Sequence, residues 1–191
     1  MKIIIVGNGS CTINKGELID KFTNIIRFNL FEIKNFEEYV GTKTTHWIVS
    51  YEALINKLNF TKNEQEKINF FKNNNKPNIK KFICFNSFSD YKEYGEELSS
   101  LNYEKIIFDN ELLKLNDINI DLNNYVLSSG VVTILHFLKQ FEKVHITGFT
   151  NFLGENIHYF SKTCVNTENH SSEIEKHIIN TLIQKGKIEI L

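Results

Sequence analysis

The sequence has few of the residues that brace a small scaffold: 1 proline, 9 glycines and 3 cysteines in 191 residues. Cys11, Cys84 and Cys164 are odd in number, far apart and without a C-x-x-C, so neither a disulfide framework nor a zinc site is expected, and they read as buried thiols. Charge of one sign is also lacking. With 22 basic and 23 acidic residues the formal charge is -1, and short pairs such as Lys80-Lys81 cannot neutralise a run of phosphates, which argues against nucleic acid as a partner. No run approaches the roughly 18 to 20 apolar residues that cross a bilayer, and the N-terminal run is too short and wrongly flanked for a signal peptide. A cytoplasmic protein with no integral membrane segment is expected. Arginine is scarce while Asn, Lys and Ile abound, a genomic bias from which no function follows.

Several catalytic signatures are missing too. There is no G-x-x-x-x-G-K-[ST], which excludes a P-loop, and no G-x-S-x-G, which excludes the common serine hydrolases. There is no H-x-x-x-H, H-E-x-x-H or D-x-D, and Asp117 and Asp121 are too widely spaced to replace the last. No metal and no other cofactor is expected.

What is present is a hydrophobic share of 41%, enough for one folding unit over residues 1–191. Short runs rich in Ile, Val and Phe predict strands at 2–6, 24–28, 46–50, 81–85, 105–108, 143–147 and 187–191. Their lack of polar alternation is the mark of strands covered on both faces. Helices are predicted at about 15–21, 51–58, 62–73, 88–100, 130–142 and 171–185, although the surrounding stretch "FTKNEQEKINFFKNNNKPNIK" is the least regular and is expected to include a mobile loop. In the last helix Ile174, Ile178 and Leu182 form an apolar stripe, Ser172 and Glu175 form an S-x-x-E capping box, and Gly186 supplies the stop. The alternation implies an α/β class: a Rossmann-like α/β/α sandwich with a mostly parallel sheet, whose ligands sit beyond the carboxyl ends of the strands.

The candidate site residues follow the strand ends. Gly7-Asn8-Gly9-Ser10 follows the first strand, where a dinucleotide fingerprint would need a third glycine in place of Thr12, and the second strand ends in Asn29 in place of a ribose-gripping acid. NAD is disfavoured; a loop for another ligand and a plain tight turn both remain open. Ser128-Ser129-Gly130 opens a helix and offers either an anion site or an N-cap. Gly148 and Phe149 follow a strand, where a simple turn is the alternative. His158-Tyr159 and His170 lie outside the strands, and a neutral imidazole is suited to take a proton from an alcohol. Glu175 either orients His170 or only completes the capping box.

Four stretches in order tie these pieces together. "IIIVGNGSCTINKGELIDKFTNIIRFN" with "YVGTKTT" resembles the long sialylmotif of the eukaryotic-type sialyltransferases, glycosyltransferase family 29, with its V-G-N-S opening, I-D, R-x-N and V-G-x-K-T-T. "SSGVVTILHFLKQFEKVHITGF" is similar to the short sialylmotif, "HYF" at 158–160 to the third motif, and His170 to Glu175 to the H-x4-E of the very short motif. Residues 52–125 carry no resemblance.

This resemblance implies a variant GT-A glycosyltransferase fold and metal-independent, inverting transfer of sialic acid, or a related nonulosonic or ulosonic sugar, from a CMP-sugar to a glycan hydroxyl in surface-glycan assembly. It would place Asn8 and Asn29 on the nucleotide and Ser128, Ser129 and Gly130 around the donor. His158 and Tyr159 would lie near the leaving phosphate, and His170 would be the general base. The family's two central motifs share a disulfide, but the short motif here has no cysteine. A bacterial or viral cytoplasmic form is expected, with peripheral placement at the inner membrane face as one option. A nucleotide-binding glycan-assembly protein without transferase activity, or an enzyme using another nucleotide-sugar, is the alternative.

Overall fold

The computed structural model describes residues 2–9, 13–55, 60–73, 78–122, 125–149, 159 and 170–191. Among them, seven strands form one sheet: β1 (Ile3–Val6), β2 (Asn24–Phe28), β3 (His46–Ser50), β4 (Lys80–Phe85), β5 (Glu104–Ile107), β6 (Val144–Thr147) and β7 (Ile188–Ile190). The order is β5-β4-β3-β2-β1-β6-β7 and every pairing is parallel. Each expected strand is found to within a residue or two. The apolar runs have this form because both faces are covered: Ile3, Ile5 and Ile26 pack on one side, Ile4, Val6 and Ile25 on the other. Fully burying one such side chain contributes about 1.5–3 kcal/mol.

Helices α6 (Glu111–Lys114), α7 (Ser129–Phe137) and α8 (Ser172–Gln184) cover the first face through Leu112, Val131, Ile134, Ile178 and Leu182. The opposite face carries α1 (Gly16–Ile19), α2 (Glu37–Val40), α3 (Tyr51–Leu54), α4 (Lys62–Asn73) and α5 (Phe88–Tyr94). The chain is α/β with helices flanking a parallel sheet.

Local details depart from expectation where tertiary contacts decide. The helix expected at 62–73 is found, with Ile68 and Phe71 fully buried against the sheet, while residues 74–77 of the stretch expected to include a mobile loop lie outside the described residues. The predicted helix at 88–100 is two pieces, α5 and a 3-10 turn at Glu97–Leu101, broken near Gly95. Helices α2 and α6 are single turns too short to leave a periodic signal. Gly186 does stop α8, with φ +68.

The strand order fixes where a ligand crevice belongs. From β1 to β5 the chain builds the sheet outward in one direction, and β6 then pairs with the free edge of β1. Helix α1, which follows β1, and helix α8, which follows β6, pack on opposite faces of the sheet, the arrangement in which a ligand crevice lies between the carboxyl ends of the two strands. No helix among the described residues is long and apolar enough to cross a membrane.

Candidate functional site

At the crevice the backbones of two glycines meet. The Gly7 N–H donates to the Thr147 carbonyl at 2.7 Å and the Gly9 N–H to the Gly148 carbonyl at 2.8 Å. A Cβ on Gly7 would stand 2.3 Å from the Gly148 oxygen, and Gly148 itself has φ +70. Glycine is needed here so that two strand ends can touch; these N–H groups are committed to the neighbouring turn. Asn8, between the glycines, donates from Nδ2 to the Phe28 carbonyl at 3.4 Å, while its buried Oδ1 has no partner among the described residues. A buried acceptor without a donor costs about 1–3 kcal/mol, so a ligand N–H or O–H reaching Asn8 would recover that cost. Phe149 packs against Gly7 and Gly130, where a Cβ would lie 2.9 Å from its ring, and meets Phe28 edge-on at 6.1 Å.

Asn29 ends β2 with φ 44, a left-handed geometry that asparagine tolerates better than most residues. Its Oδ1 accepts from the Ser50 N–H at 2.9 Å and its carbonyl from Trp47 Nε1 at 2.8 Å, leaving Nδ2 with no hydrogen bond among the described residues. Tyr159 is anchored on the same side: its N–H donates to the Asn8 carbonyl at 2.9 Å, and its hydroxyl accepts from the Glu32 N–H at 3.2 Å and donates to the Glu32 carbonyl. The tyrosine hydroxyl is thus engaged with backbone beside Asn8.

The second half of the crevice is organised by residues 126–129. His170 Nδ1 lies 2.6 Å from the Val126 carbonyl, which requires Nδ1 to carry the hydrogen and leaves Nε2 with the lone pair of the neutral ring. Two residues on, the Ser128 N–H donates to Glu175 Oε1 at 2.6 Å and Ser128 Oγ to Oε2 at 2.9 Å. This corrects the expected capping box: Ser171 caps α8 through the Ile174 N–H, and Glu175, 2% exposed, lies one residue too far along the helix to reach back. It faces inward to Ser128 instead. Burial raises the Glu175 pKa, opposed by the Ser128 bonds and by the electrostatic influence of the nearby His170.

Ser128 is also the N-cap of α7, accepting from the Val131 N–H at 3.5 Å, so the N-cap reading holds for it. The N–H groups of Ser129 and Gly130 have no hydrogen bond among the described residues, and they stand at the positive end of a nine-residue helix. Asn86, which no sequence signal singled out, joins β4 to this segment: Nδ2 donates to the Leu127 carbonyl at 2.6 Å and Oδ1 accepts from Ser129 Oγ at 3.4 Å.

The structure therefore gathers Gly7, Asn8, Gly9, Asn29, Gly148, Phe149 and Tyr159 around the β1–β6 crevice, and joins Ser128, His170 and Glu175 to it through Ser129, Gly130 and Phe149. Ser10 and His158 lie outside the described residues, as do Cys11 and Cys164. Cys84 is fully buried and its thiol is pushed up to about 12. Among the described residues no group of His, Cys, Asp and Glu side chains is arranged to hold a metal ion.

Two residues of the first motif have another task. Arg27, the sole arginine of the chain, is fully buried and donates to the carbonyls of Val40 at 2.6 Å, Gly41 at 3.4 Å and Lys43 at 3.0 Å, and to Thr44 Oγ1 at 3.0 Å. Desolvation lowers its pKa to about 10, so it stays charged at neutral pH. Asp20 receives the Thr42 N–H at 2.9 Å, the Lys43 N–H at 3.0 Å and the Thr42 hydroxyl at 2.7 Å. Together they hold the 40–44 loop in place before β3.

An α/β fold with a parallel sheet, a glycine-lined switch point and a histidine and a glutamate beside a helix N-terminus defines a structural class and not one reaction. The family model of glycosyltransferase family 29 (sialyltransferase) matches residues 2–187, and the chain belongs to that family. It is a glycosyltransferase by that membership. Among solved structures it is similar to a mammalian sialyltransferase with a TM-score of 0.65 at 20% identity, covering 100% of this chain and 68% of that one. It is likewise similar to a mammalian sialyltransferase in complex with Gal-beta-1-3GalNAc-ortho-nitrophenol, with a TM-score of 0.63 at 18% identity and the same coverage. No curated protein matches the chain significantly.

Proposed function

We propose that this enzyme transfers sialic acid, or a related nonulosonic or ulosonic sugar, from a CMP-sugar donor to a glycan hydroxyl, with inversion, without a metal ion, and with His170 as general base. The observation that carries the reading is the bond from His170 Nδ1 to the Val126 carbonyl. It fixes the tautomer a base needs, next to a buried carboxylate that can balance the imidazolium formed when the ring takes a proton. In the proposed step the acceptor oxygen attacks the anomeric carbon, the bond from that carbon to the phosphate oxygen breaks, CMP departs with the electron pair, and the hydroxyl proton passes to His170 Nε2.

Charge develops on the leaving phosphate as the anomeric centre becomes oxocarbenium-like, as in other glycosyl transfers. The unused N–H groups of Ser129 and Gly130 at the α7 N-terminus are suited to receive an anion. Asn8 Oδ1 and Asn29 Nδ2, an acceptor and a donor with no hydrogen bond among the described residues, support a polar nucleoside on the β1–β2 side.

A thermal-shift series with CMP, UDP, GDP and NAD, with and without EDTA, tests the donor. The expected result is a larger rise in Tm with CMP than with the others at equal concentration, unchanged by EDTA. Equal shifts across the series sink the CMP assignment, and loss of the CMP shift in EDTA sinks metal independence.

A further inference from the structure

Residues 126–129 form a short connector in which neighbouring groups face different partners. The Val126 carbonyl holds His170, the Ser128 N–H and hydroxyl hold Glu175, and between them the Leu127 carbonyl takes the Asn86 amide. Leu127 is 1% exposed, so this carbonyl is shielded from water, and Asn86 is its one hydrogen-bond donor among the described residues. Residues 126–128 of the connector lie outside regular secondary structure and Ser129 is the first residue of α7, so no ladder of backbone bonds fixes the position of the part that holds His170 and Glu175. Asn86 directly follows β4, an interior strand paired on both sides, and it grips the connector twice, at Leu127 and at Ser129 Oγ. The sheet is thus tied through one side chain to the segment that carries the imidazole and its carboxylate.

We propose that Asn86 is a positioning residue for proton transfer: its amide sets the height of the 126–129 connector above the sheet, and through it the placement of His170 Nε2. This rests on the reading of His170 as the general base. The residue lies in the middle portion of the chain that resembles nothing in the family motifs, and it touches neither His170 nor Glu175. Its effect is geometric. A misplacement on the order of 1 Å at a reacting group costs roughly 10²-fold in rate.

The test is a double-mutant cycle on the full chain, with Asn86→Ala, His170→Ala and the double variant, reading transfer or hydrolysis of CMP-sialic acid together with CMP affinity and Tm. The expected result is a roughly 10²-fold lower kcat for Asn86→Ala, CMP affinity within about twofold of the parent, and no further loss when Asn86→Ala is added to His170→Ala. Asn86→Asp keeps an acceptor for Ser129 but cannot donate to the Leu127 carbonyl, so it should behave like the alanine variant and guards against a folding artefact in either one. Equal losses in both backgrounds, a loss of CMP affinity that parallels kcat, or an aspartate variant as active as the parent would overturn the proposal and leave the base reading standing. A His170→Ala protein with parental activity, or a parent that neither transfers nor hydrolyses the donor, removes the base reading and this proposal with it.

Discussion

The β2–β3 side and the α7–α8 side of the molecule treat their polar motif residues in opposite ways. Around the 40–44 loop, Asp20 and Arg27 turn most of their hydrogen-bonding atoms to the loop's backbone, hydroxyl and amide groups; the buried Arg27 Nη1 has no hydrogen bond among the described residues, and the cluster meets solvent at Thr42 and Lys43. Around residues 126–130 backbone donors are left over: among the described residues the Ser129 and Gly130 N–H groups have no hydrogen bond, and the Val126 carbonyl holds His170 through Nδ1. Residues quoted from one family motif can therefore be scaffolding, while chemistry requires atoms left over after the fold is satisfied. Arg27 makes the point sharply. In a chain with 21 lysines and a single arginine, the guanidinium is kept where a planar fork must serve several carbonyls at once, a geometry an ammonium cannot reproduce.

The largest effect separating the two sides should come from His170→Ala. Transfer should fall by about 10²- to 10⁴-fold while Tm and CMP affinity hold, as measured by initial rates and titration; survival of activity would dissolve the contrast. Next is Arg27→Lys, expected to lose about 3 kcal/mol of stability by leaving buried carbonyls unpaired, read by denaturant unfolding. The folded fraction should keep its rate per molecule within about twofold, and a specific rate loss without destabilisation would move Arg27 to the chemical side.

The smallest effect belongs to a residue remote from both sides. His46 is buried between Phe82 and Phe137 with its pKa lowered to about 4, by desolvation first and by Lys80 second. Unfolded, the same imidazole takes a proton near 6.5, so the unfolded state binds more protons as pH drops from 6.5 towards 4, and stability falls through that window. Above it the contribution is fully present. His136 and His145 are shifted the same way by burial and should add to the slope. His46→Phe should flatten the decline in Tm between pH 6.5 and 4; an unchanged slope would mean that other groups carry it.

Element type was legible in the sequence for a simple reason: a strand covered on both faces is apolar along most of its length, as in Ile3–Val6 and in the Trp47–Val49 centre of β3. The long α8 was legible from its stripe. The single turns α2 and α6 were not, because four residues such as Glu37–Val40 cannot show a period. For the site, the residue types around the crevice were readable and their allegiances were not. The S-x-x-E at Ser172 and Glu175 satisfied a local rule, yet the cap belongs to Ser171 and the carboxylate to Ser128, 47 residues away.

By itself the sequence determined the alternation of strands and helices, since burial demands a pattern that the chain carries locally. It also determined the glycines at 7 and 148, where no side chain can enter. Tertiary structure alone decided the rest: that β6 pairs with β1 and so opens the crevice there, and that Asn86 reaches Leu127. It also decided that one buried arginine supports a loop. Hydrogen bonds between distant segments depend on orientation and on what is left unsatisfied, and neither quantity exists until the sheet has assembled.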